Sequence, residues 1–532
     1  MMAWQDHLIV LPIVLPLAAA AAMLLFNERH YQVKAVISLI CMMALATTAY
    51  YLLRDASIGG PDGRDTARVY QLGNWAAPFG ITLVADRLST LMLALTATLA
   101  TGGMIFAFAR WDRAGPRFHA LFLLLVMGVN GAVLTGDLFN LFVFFEVMLA
   151  ASYGLLLHGS GEKRVRAGLG YVAINLTASL FFLIGVSLIY GVTGGLNMAD
   201  IADRVAEIPA HDRALFHIGC AILGIAFLVK AAAWPLGFWL PGAYSAASAP
   251  VAAVFAILSK VGVYVIIRLV TLNFSDEAGA SAGFGLEWIT IVGLATVFFG
   301  AAGIIASKRL EQAAGYAIMS SSGTVLAVLG TGDLMALGGA LFYMAASTLA
   351  AASLFLIAEI MARGEDQSIK PDDAVFDDEY DDPFSSDDVE EVGRVMPASM
   401  AFLGTAFILA ALVSISLPPL AGFVGKLTIF ISLLAGEGAS QPASWVLITA
   451  LTLSSFASLI AFARFGIAAF WREDGALMPK VHSPEFVAIG GLVLCCLWMS
   501  IAAGTGLNFT EQTSLWLAEP QAYIQAVLGG GQ

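Results

Sequence analysis

A helix needs about 20 apolar residues to cross the hydrocarbon core of a bilayer, and runs of that kind recur through the chain with only short polar breaks. Fourteen can be counted, at residues 8–26, 33–53, 83–109, 118–136, 137–158, 168–190, 215–240, 246–272, 287–306, 312–330, 335–362, 397–434, 444–470 and 485–506. Hydrophobic residues make up 59% of the 532 and charged ones only 12%, a balance that excludes a soluble globular protein. The expected fold is an all-α polytopic membrane protein. Its opening segment has no basic stretch before the apolar run and reads as the first span, not as a removed signal.

The formal charge of −13 is concentrated in one place. Residues 365–391 hold thirteen acids and one base, Lys370, a balance of −12 that leaves −1 for everything else. So dense a run of like charge reads as a solvated loop or a strap facing a partner, with a divalent-cation site as the sharper alternative. No basic stripe is present to support nucleic-acid binding. The four cysteines, Cys41, Cys220, Cys495 and Cys496, lie in apolar segments without metal-site or redox spacing. No P-loop, haem motif or cluster spacing is visible, so neither a metal nor a cofactor is expected.

Lys and Arg collect in cytoplasmic loops. With the N-terminus outside, the inner loops carry fifteen basic residues, among them Arg110, Arg113, Lys163, Arg164 and Arg309, and the outer loops five. This alternation supports fourteen spans with both termini outside the cytoplasm, in a cell (inner) membrane. The six remaining basic residues lie inside spans. Arg87, Arg268 and Arg464 are near enough to span ends to snorkel; Lys230, Lys260 and Lys426 are deeper.

An unpaired charge near the bilayer centre costs about 3 kcal/mol on insertion scales. Glu146, in LTGDLFNLFVFFEVMLAASYG, therefore needs a partner or a hydrated cavity. One Lys–Glu pair would suit a purely structural role in helix packing, but three lysines leave two without an obvious carboxylate. A buried ammonium in that position can release its proton, which makes Lys260 and Lys426 candidate proton carriers. Asp137 and Asp333 sit at outer span ends, where a helix N-terminus would satisfy them. Glu359 lies near the inner end of the eleventh span and can contact Arg363. Asp137 and Glu359 are the weaker transport candidates.

Two spans look broken. The seventh has Pro235 five residues after Lys230, with Pro241 closing it; the twelfth has Pro418, Pro419 and Gly422 shortly before Lys426. Such breaks persist in a membrane only where protein or water satisfies the freed backbone groups. Two breaks five helices apart, each beside a lysine, fit a repeat of five-helix units. The stretch LNMADIADRVAEI reads as a short amphipathic helix at the outer interface. Hydroxyls crowd the presumed path at Ser245, Ser248, Ser259, Ser320 to Ser322, Thr324, Ser347 and Thr348, where they either pack helices or order a water chain.

Four segments, LTGDLFNLFVFFEVMLAASYGLLLHG, FLVKAAAWPLGFWLP, SAPVAAVFAILSKVGVYVIIRL and SLPPLAGFVGKLTIF, resemble the signature stretches of the antiporter-like subunits shared by respiratory complex I, membrane-bound hydrogenases and Mrp-type cation/proton antiporters. The opening LIVLPIVLPLAAAAAMLLF and VYQLGNWAAPFGITLVADRLSTLMLAL look most like the D-type members of the Mrp group. The resemblance implies that Glu146 is the fifth-helix glutamate paired with Lys230, that Lys260 is the central lysine of helix 8, and that Lys426 is the terminal lysine of helix 12. It implies inverted repeats over helices 4–8 and 9–13. The divisions are then 1–110, 118–272, 287–470 with an acidic cytoplasmic loop at 364–394, and 485–532 for helix 14 and the tail.

The implied function is proton translocation within a hetero-oligomeric sodium/proton antiporter complex, with sodium involved indirectly. The alternatives are a redox-driven proton-pumping subunit and a structural membrane scaffold. The histidine and lysine that the family often carries in helix 11 are here Ala346 and Ala351. The link from Lys260 to Lys426 is therefore expected to use water and groups such as Tyr343, Ser347 or Thr348.

Overall fold

A computed structural model describes residues 6–27, 29–58, 67–159, 161–368, 398–435, 442–470 and 480–529. Most of the acidic stretch, and with it the expectation of a solvated loop or strap, lies outside the described residues. In chain order the elements are α1 (Leu11–Met23), α2 (Tyr31–Ile58), β1 (Arg68–Gln71), β2 (Thr82–Ala85), α3 (Arg87–Ala107), α4 (Phe118–Leu134), α5 (Leu138–Leu156), α6 (Glu162–Thr193), α7 (Met198–Val205), α8 (Ala210–Lys230), α9 (Trp239–Ala246) and α10 (Ala249–Asn273). There follow α11 (Leu286–Ala306), α12 (Leu310–Thr331), α13 (Leu334–Ser368), α14 (Ala398–Ile415), α15 (Ala421–Leu433), α16 (Pro442–Phe470), α17 (Ser483–Ile501), α18 (Ala503–Leu517) and α19 (Pro520–Leu528).

Among the described residues, twelve helices are long and apolar enough to cross a bilayer, and the chain is a multi-pass membrane protein. Only helices and closed barrels satisfy every backbone polar group inside hydrocarbon, so apolar runs of this length become helices. Three more apolar helices, α1, α4 and α15, are shorter. The count of fourteen takes α1 and α4 as spans and α15 as the second half of a span begun by α14.

Helices α10 and α13 are buried along their whole apolar length and form the centre of the molecule. A helix apolar on every side belongs in such a position. On α10, Lys260 is completely enclosed.

Both broken spans end alike. At the end of α8 the Ala233 N–H reaches back to Leu228 O (2.9 Å) and the Ala232 N–H to Val229 O (3.0 Å), with Ala232 at φ 55°. At the end of α14 the Leu417 N–H bonds Leu412 O (3.1 Å) and the Ser416 N–H bonds Val413 O (3.2 Å), with Ser416 at φ 71°. These are Schellman turns, which close a helix by returning two N–H groups to its orphaned carbonyls. The Trp239 indole N–H adds a second donor to Val229 O (3.1 Å), so the break beside Lys230 is satisfied by protein. Pro241 does not close the seventh span as expected. It lies in the first turn of α9, where its missing N–H has no helical partner to lose.

Two features went unread in the sequence, a strand pair and two C-terminal helices. Strands β1 and β2 pair antiparallel, Arg68 opposite Ala85 and Gln71 opposite Thr82, and lead into α3. The segment after α17 is two further helices, α18 and α19, where only a tail was expected. The amphipathic stretch does form a helix, α7, but only over eight residues between α6 and α8.

Candidate functional site

Glu146 lies on α5 and Lys230 is the last residue of α8. They do not meet directly. The Ser179 hydroxyl, on α6, donates to Glu146 Oε1, and Lys230 Nζ donates to Ser179 Oγ at 3.5 Å. The expected ion pair is thus a pair bridged by a hydroxyl. Lys230 is 4% exposed, and its ammonium stands 4.8 Å from the centroid of the Phe145 ring. Phe227 and Phe182 complete an aromatic wall, with Phe145 to Phe227 at 5.6 Å and Phe182 to Phe227 at 5.2 Å between centroids. The α8 end that carries Lys230 reaches α10 because Gly262 has no side chain. A Cβ there would lie 2.6 Å from Ala231 N and 2.9 Å from Lys230 C.

Lys260 Nζ has three acceptors on α12: Ile318 O at 3.0 Å, Ser321 Oγ at 2.9 Å and Ser322 Oγ at 2.8 Å. An ammonium has three donors, so neutral oxygens take up its full capacity with no carboxylate involved. Ser321 continues to Ser347 on α13 at 2.7 Å between hydroxyl oxygens. Three residues further along α12, Thr324 donates to Ser320 O of its own helix at 2.9 Å, and Tyr343 lies one turn from Ser347 on α13. Lys426 Nζ faces the Tyr343 ring at 5.1 Å and donates to Ser455 on α16 at 2.8 Å. A second link crosses from α12 to α16 through Ser320 and Ser454, 2.9 Å apart. Here too glycine permits the approach, since a Cβ on Gly425 would lie 2.8 Å from Tyr343 Cβ.

Two hydroxyl rungs therefore lie between Lys260 and Lys426: Ser321 with Ser347 across α12 and α13, and Ser320 with Ser454 across α12 and α16, where Ser455 holds Lys426. Of the expected path residues, Ser347 is in the ladder, and Tyr343 presents its ring face to Lys426. Thr348 donates to Met344 O of its own helix at 2.6 Å. Ser259 is fully buried beside Lys260, and its hydroxyl makes no hydrogen bond among the described residues. Ser179, Ser454 and Ser455 were missed. Isolated serines in apolar helices give no signal until the facing helix is known.

The weaker acidic candidates take end positions. Asp137 caps α5 by accepting the Asn140 N–H (2.8 Å). Asp333 caps α13 through the Ala336 N–H (2.9 Å) and accepts Ser432 Oγ at 2.7 Å. Glu359 contacts Arg363 at 3.8 Å as expected, but its nearer partners are Arg110 (2.5 Å), the Trp111 indole (2.8 Å) and the Ala249 N–H at the start of α10 (3.2 Å). A cavity of about 790 Å³ opens there, lined by Arg110, Arg164, Ser248, Glu359 and Arg363.

Arg268 corrects an expectation. It does not snorkel; it is 3% exposed and paired with the fully buried Asp86 at the start of α3. Its guanidinium lies 5.6 Å from the Tyr264 ring, 5.9 Å from Trp516 and 5.1 Å from Tyr523. The last two rings come from α18 and α19, where only a tail was expected.

Residues 135–464 match the family described as NADH:quinone oxidoreductase/Mrp antiporter, TM. A Rhizobium meliloti protein named as a probable D-type subunit of a K(+)/H(+) antiporter is 49% identical, over 99% of this chain and 98% of its own length. The D-type subunit of the Na(+)/H(+) antiporter of Alkalihalophilus pseudofirmus is 33% identical, over 98% of this chain and 100% of its own. In fold, a chain of the Mrp complex from Dietzia sp. DQ12-45-1b superposes with a TM-score of 0.80 at 24% identity, covering 99% of this chain and 100% of its own. A chain of respiratory complex I from Thermus thermophilus does so with 0.75 at 21%, covering 96% and 99%.

Proposed function

The chain belongs to the NADH:quinone oxidoreductase/Mrp antiporter family, and from that premise we propose that it is the proton-translocating D-type member of a multisubunit monovalent-cation/proton antiporter. The observation that carries the reading is the set of three buried lysines, each held by hydroxyls, with the ladder of Ser321 with Ser347 and Ser320 with Ser454 reaching from Lys260 toward Lys426. A scaffold needs no such ladder, because packing alone is served by serines bonded to their own backbone.

In this reading Glu146 sets how firmly Lys230 keeps its proton. The Coulomb attraction varies inversely with separation and strengthens as the local dielectric falls. Movement of α5 against α8 therefore changes the proton affinity of Lys230. A proton leaving Lys230 crosses the α8 and α10 contact at Gly262 to Lys260. From there it passes over the Ser321 and Ser347 rung and the Ser320 and Ser454 rung toward Ser455 and Lys426. One pKa unit corresponds to about 1.4 kcal/mol, and one charge moved through 100 mV to about 2.3 kcal/mol. The membrane potential is thus of the size needed to bias each step.

The breaks at Pro235 and at Pro418 and Pro419 sit at equivalent turns, which supports two five-helix halves, 118–272 and 287–470, working as one relay. The basic residues on one side support an orientation with both termini outside. Other membrane subunits complete the complex and carry the cation. Sodium is the cation expected from the resemblance, and potassium is the second candidate because the 49% identical relative is named for it.

The test is antiport by the assembled complex in everted vesicles, read as cation-driven pH change with sodium and with potassium. Glu146→Ala and Lys230→Ala are expected to abolish it. Normal antiport from both variants would falsify the relay. Co-purification with iron–sulfur and flavin proteins would assign the chain to the redox-driven alternative instead.

A further inference from the structure

Ser179 is placed to do more than fill space between α5 and α6. It is 6% exposed, and its hydroxyl lies between the two ionisable groups that open the proposed relay, Glu146 and Lys230. The chemistry of those groups dictates the direction of both hydrogen bonds. An ionised carboxylate can only accept and an ammonium can only donate. The hydroxyl must therefore receive from Lys230 and give to Glu146, which makes one oriented line of donors from nitrogen to carboxylate.

We propose that Ser179 is a proton wire between Lys230 and Glu146, so that the two exchange a proton through its hydroxyl without coming into contact. This inference rests on the relay reading above and names the atom through which Glu146 controls the proton on Lys230. In the step, one Nζ–H bond of Lys230 breaks and that proton bonds to Ser179 Oγ. The original Oγ–H bond breaks at the same time, and its proton bonds to Glu146 Oε1. The products are a neutral amine, an unchanged hydroxyl and a neutral carboxylic acid. The net charge of the pair is zero before and after, and no other reactant is needed.

The exchange converts a separated pair of charges into two neutral groups. A desolvated site disfavours isolated charge, and the aromatic wall of Phe145, Phe182 and Phe227 keeps the apolar side of this site free of competing acceptors. When the proton returns from Glu146 through the same hydroxyl, Lys230 is charged again and can pass a proton on to Lys260 on α10. Ser179 lies 33 residues from Glu146 and 51 from Lys230 in the chain, so only the packing of α6 against both α5 and α8 brings the three together.

The experiment uses the whole complex in everted vesicles. Ser179→Ala removes the wire and is expected to slow antiport about tenfold, with complex yield unchanged. Ser179→Thr retains a hydroxyl and is expected to restore the rate. Glu146→Gln added to Ser179→Ala is expected to slow antiport no further than Glu146→Gln alone, because both act on one step. Where Ser179→Ala lowers complex yield, Ser179→Cys is read in its place, since it keeps the size and weakens the donor. Wild-type rates from Ser179→Ala would overturn the wire, as would a Thr variant as slow as the Ala variant, or losses that multiply in the double variant. If Glu146→Ala and Lys230→Ala abolish antiport while Ser179→Ala is silent, the wire fails and the relay stands. If those two variants are themselves silent, the relay fails with it.

Discussion

Changing Asp86 to Asn takes the counterion from Arg268 while keeping the shape of the site. Both side chains are buried, at 0% and 3% exposure, and removing one partner of such a pair costs about 3–5 kcal/mol because the other charge stays in place uncompensated. Two features set where in that range the cost falls. The Tyr264, Trp516 and Tyr523 rings remain within 6 Å of the guanidinium, and cation–π contacts of that kind return about 1 kcal/mol each. Asn also retains the cap, in which the Asp86 side chain accepts the Ser89 N–H at 2.8 Å, an interaction worth about 1 kcal/mol. Asp86→Asn should therefore cost about 3 kcal/mol, at the low end. Arg268→Met should cost more, about 4–5 kcal/mol, because the carboxylate it strands has no ring faces to turn to. The double variant should be more stable than either single one, since an uncharged buried site needs no partner. Thermal unfolding of the purified protein, followed by Trp fluorescence with Trp516 as a local reporter, reads all three. If the double variant loses the sum of the two single losses, the residues are not coupled and the reasoning is refuted.

The hydroxyl ladder separates path residues from packing residues. Ser321→Ala and Ser347→Ala should slow antiport without lowering complex yield, whereas Thr348→Val should leave the rate near wild type because that hydroxyl is spent on Met344 O. Gly262→Ala should displace the end of α8 and cost about 1–3 kcal/mol by overpacking, detected as a lower unfolding temperature together with slower antiport. His158, beyond the end of α5, is hydrogen-bonded to Trp111 O (2.9 Å), and burial, aided by Arg164, holds its imidazole below its ordinary value. Between that lowered value and about 6.5 the unfolded chain binds the proton more tightly, so stability is present above about 6.5 and is lost as the pH falls through this window. His158→Gln should flatten that part of a stability profile measured from about pH 5 to 8.

The sequence by itself determined that this chain spans a membrane many times, that the lysines and Glu146 stand at depth, and that the helices break near Pro235 and Pro418. Each of these is local. A run of apolar residues in lipid has to close its own backbone hydrogen bonds, and a proline or a charge within it is visible without knowing what packs beside it. Asp137 and Asp333 were legible for the same reason, because a cap binds N–H groups only three residues away. Partnerships were different. The resemblance pairs Glu146 with Lys230, and only the arrival of α6 shows a hydroxyl between them. Arg268 looked free to snorkel until α3, α18 and α19 closed over it. The ladder likewise needed α12 and α13 to meet in one particular register, with Ser321 opposite Ser347. Side-chain partners follow from which helix faces meet and at what height. Those depend on contacts between residues tens to hundreds of positions apart, where small differences in packing select one neighbour over another.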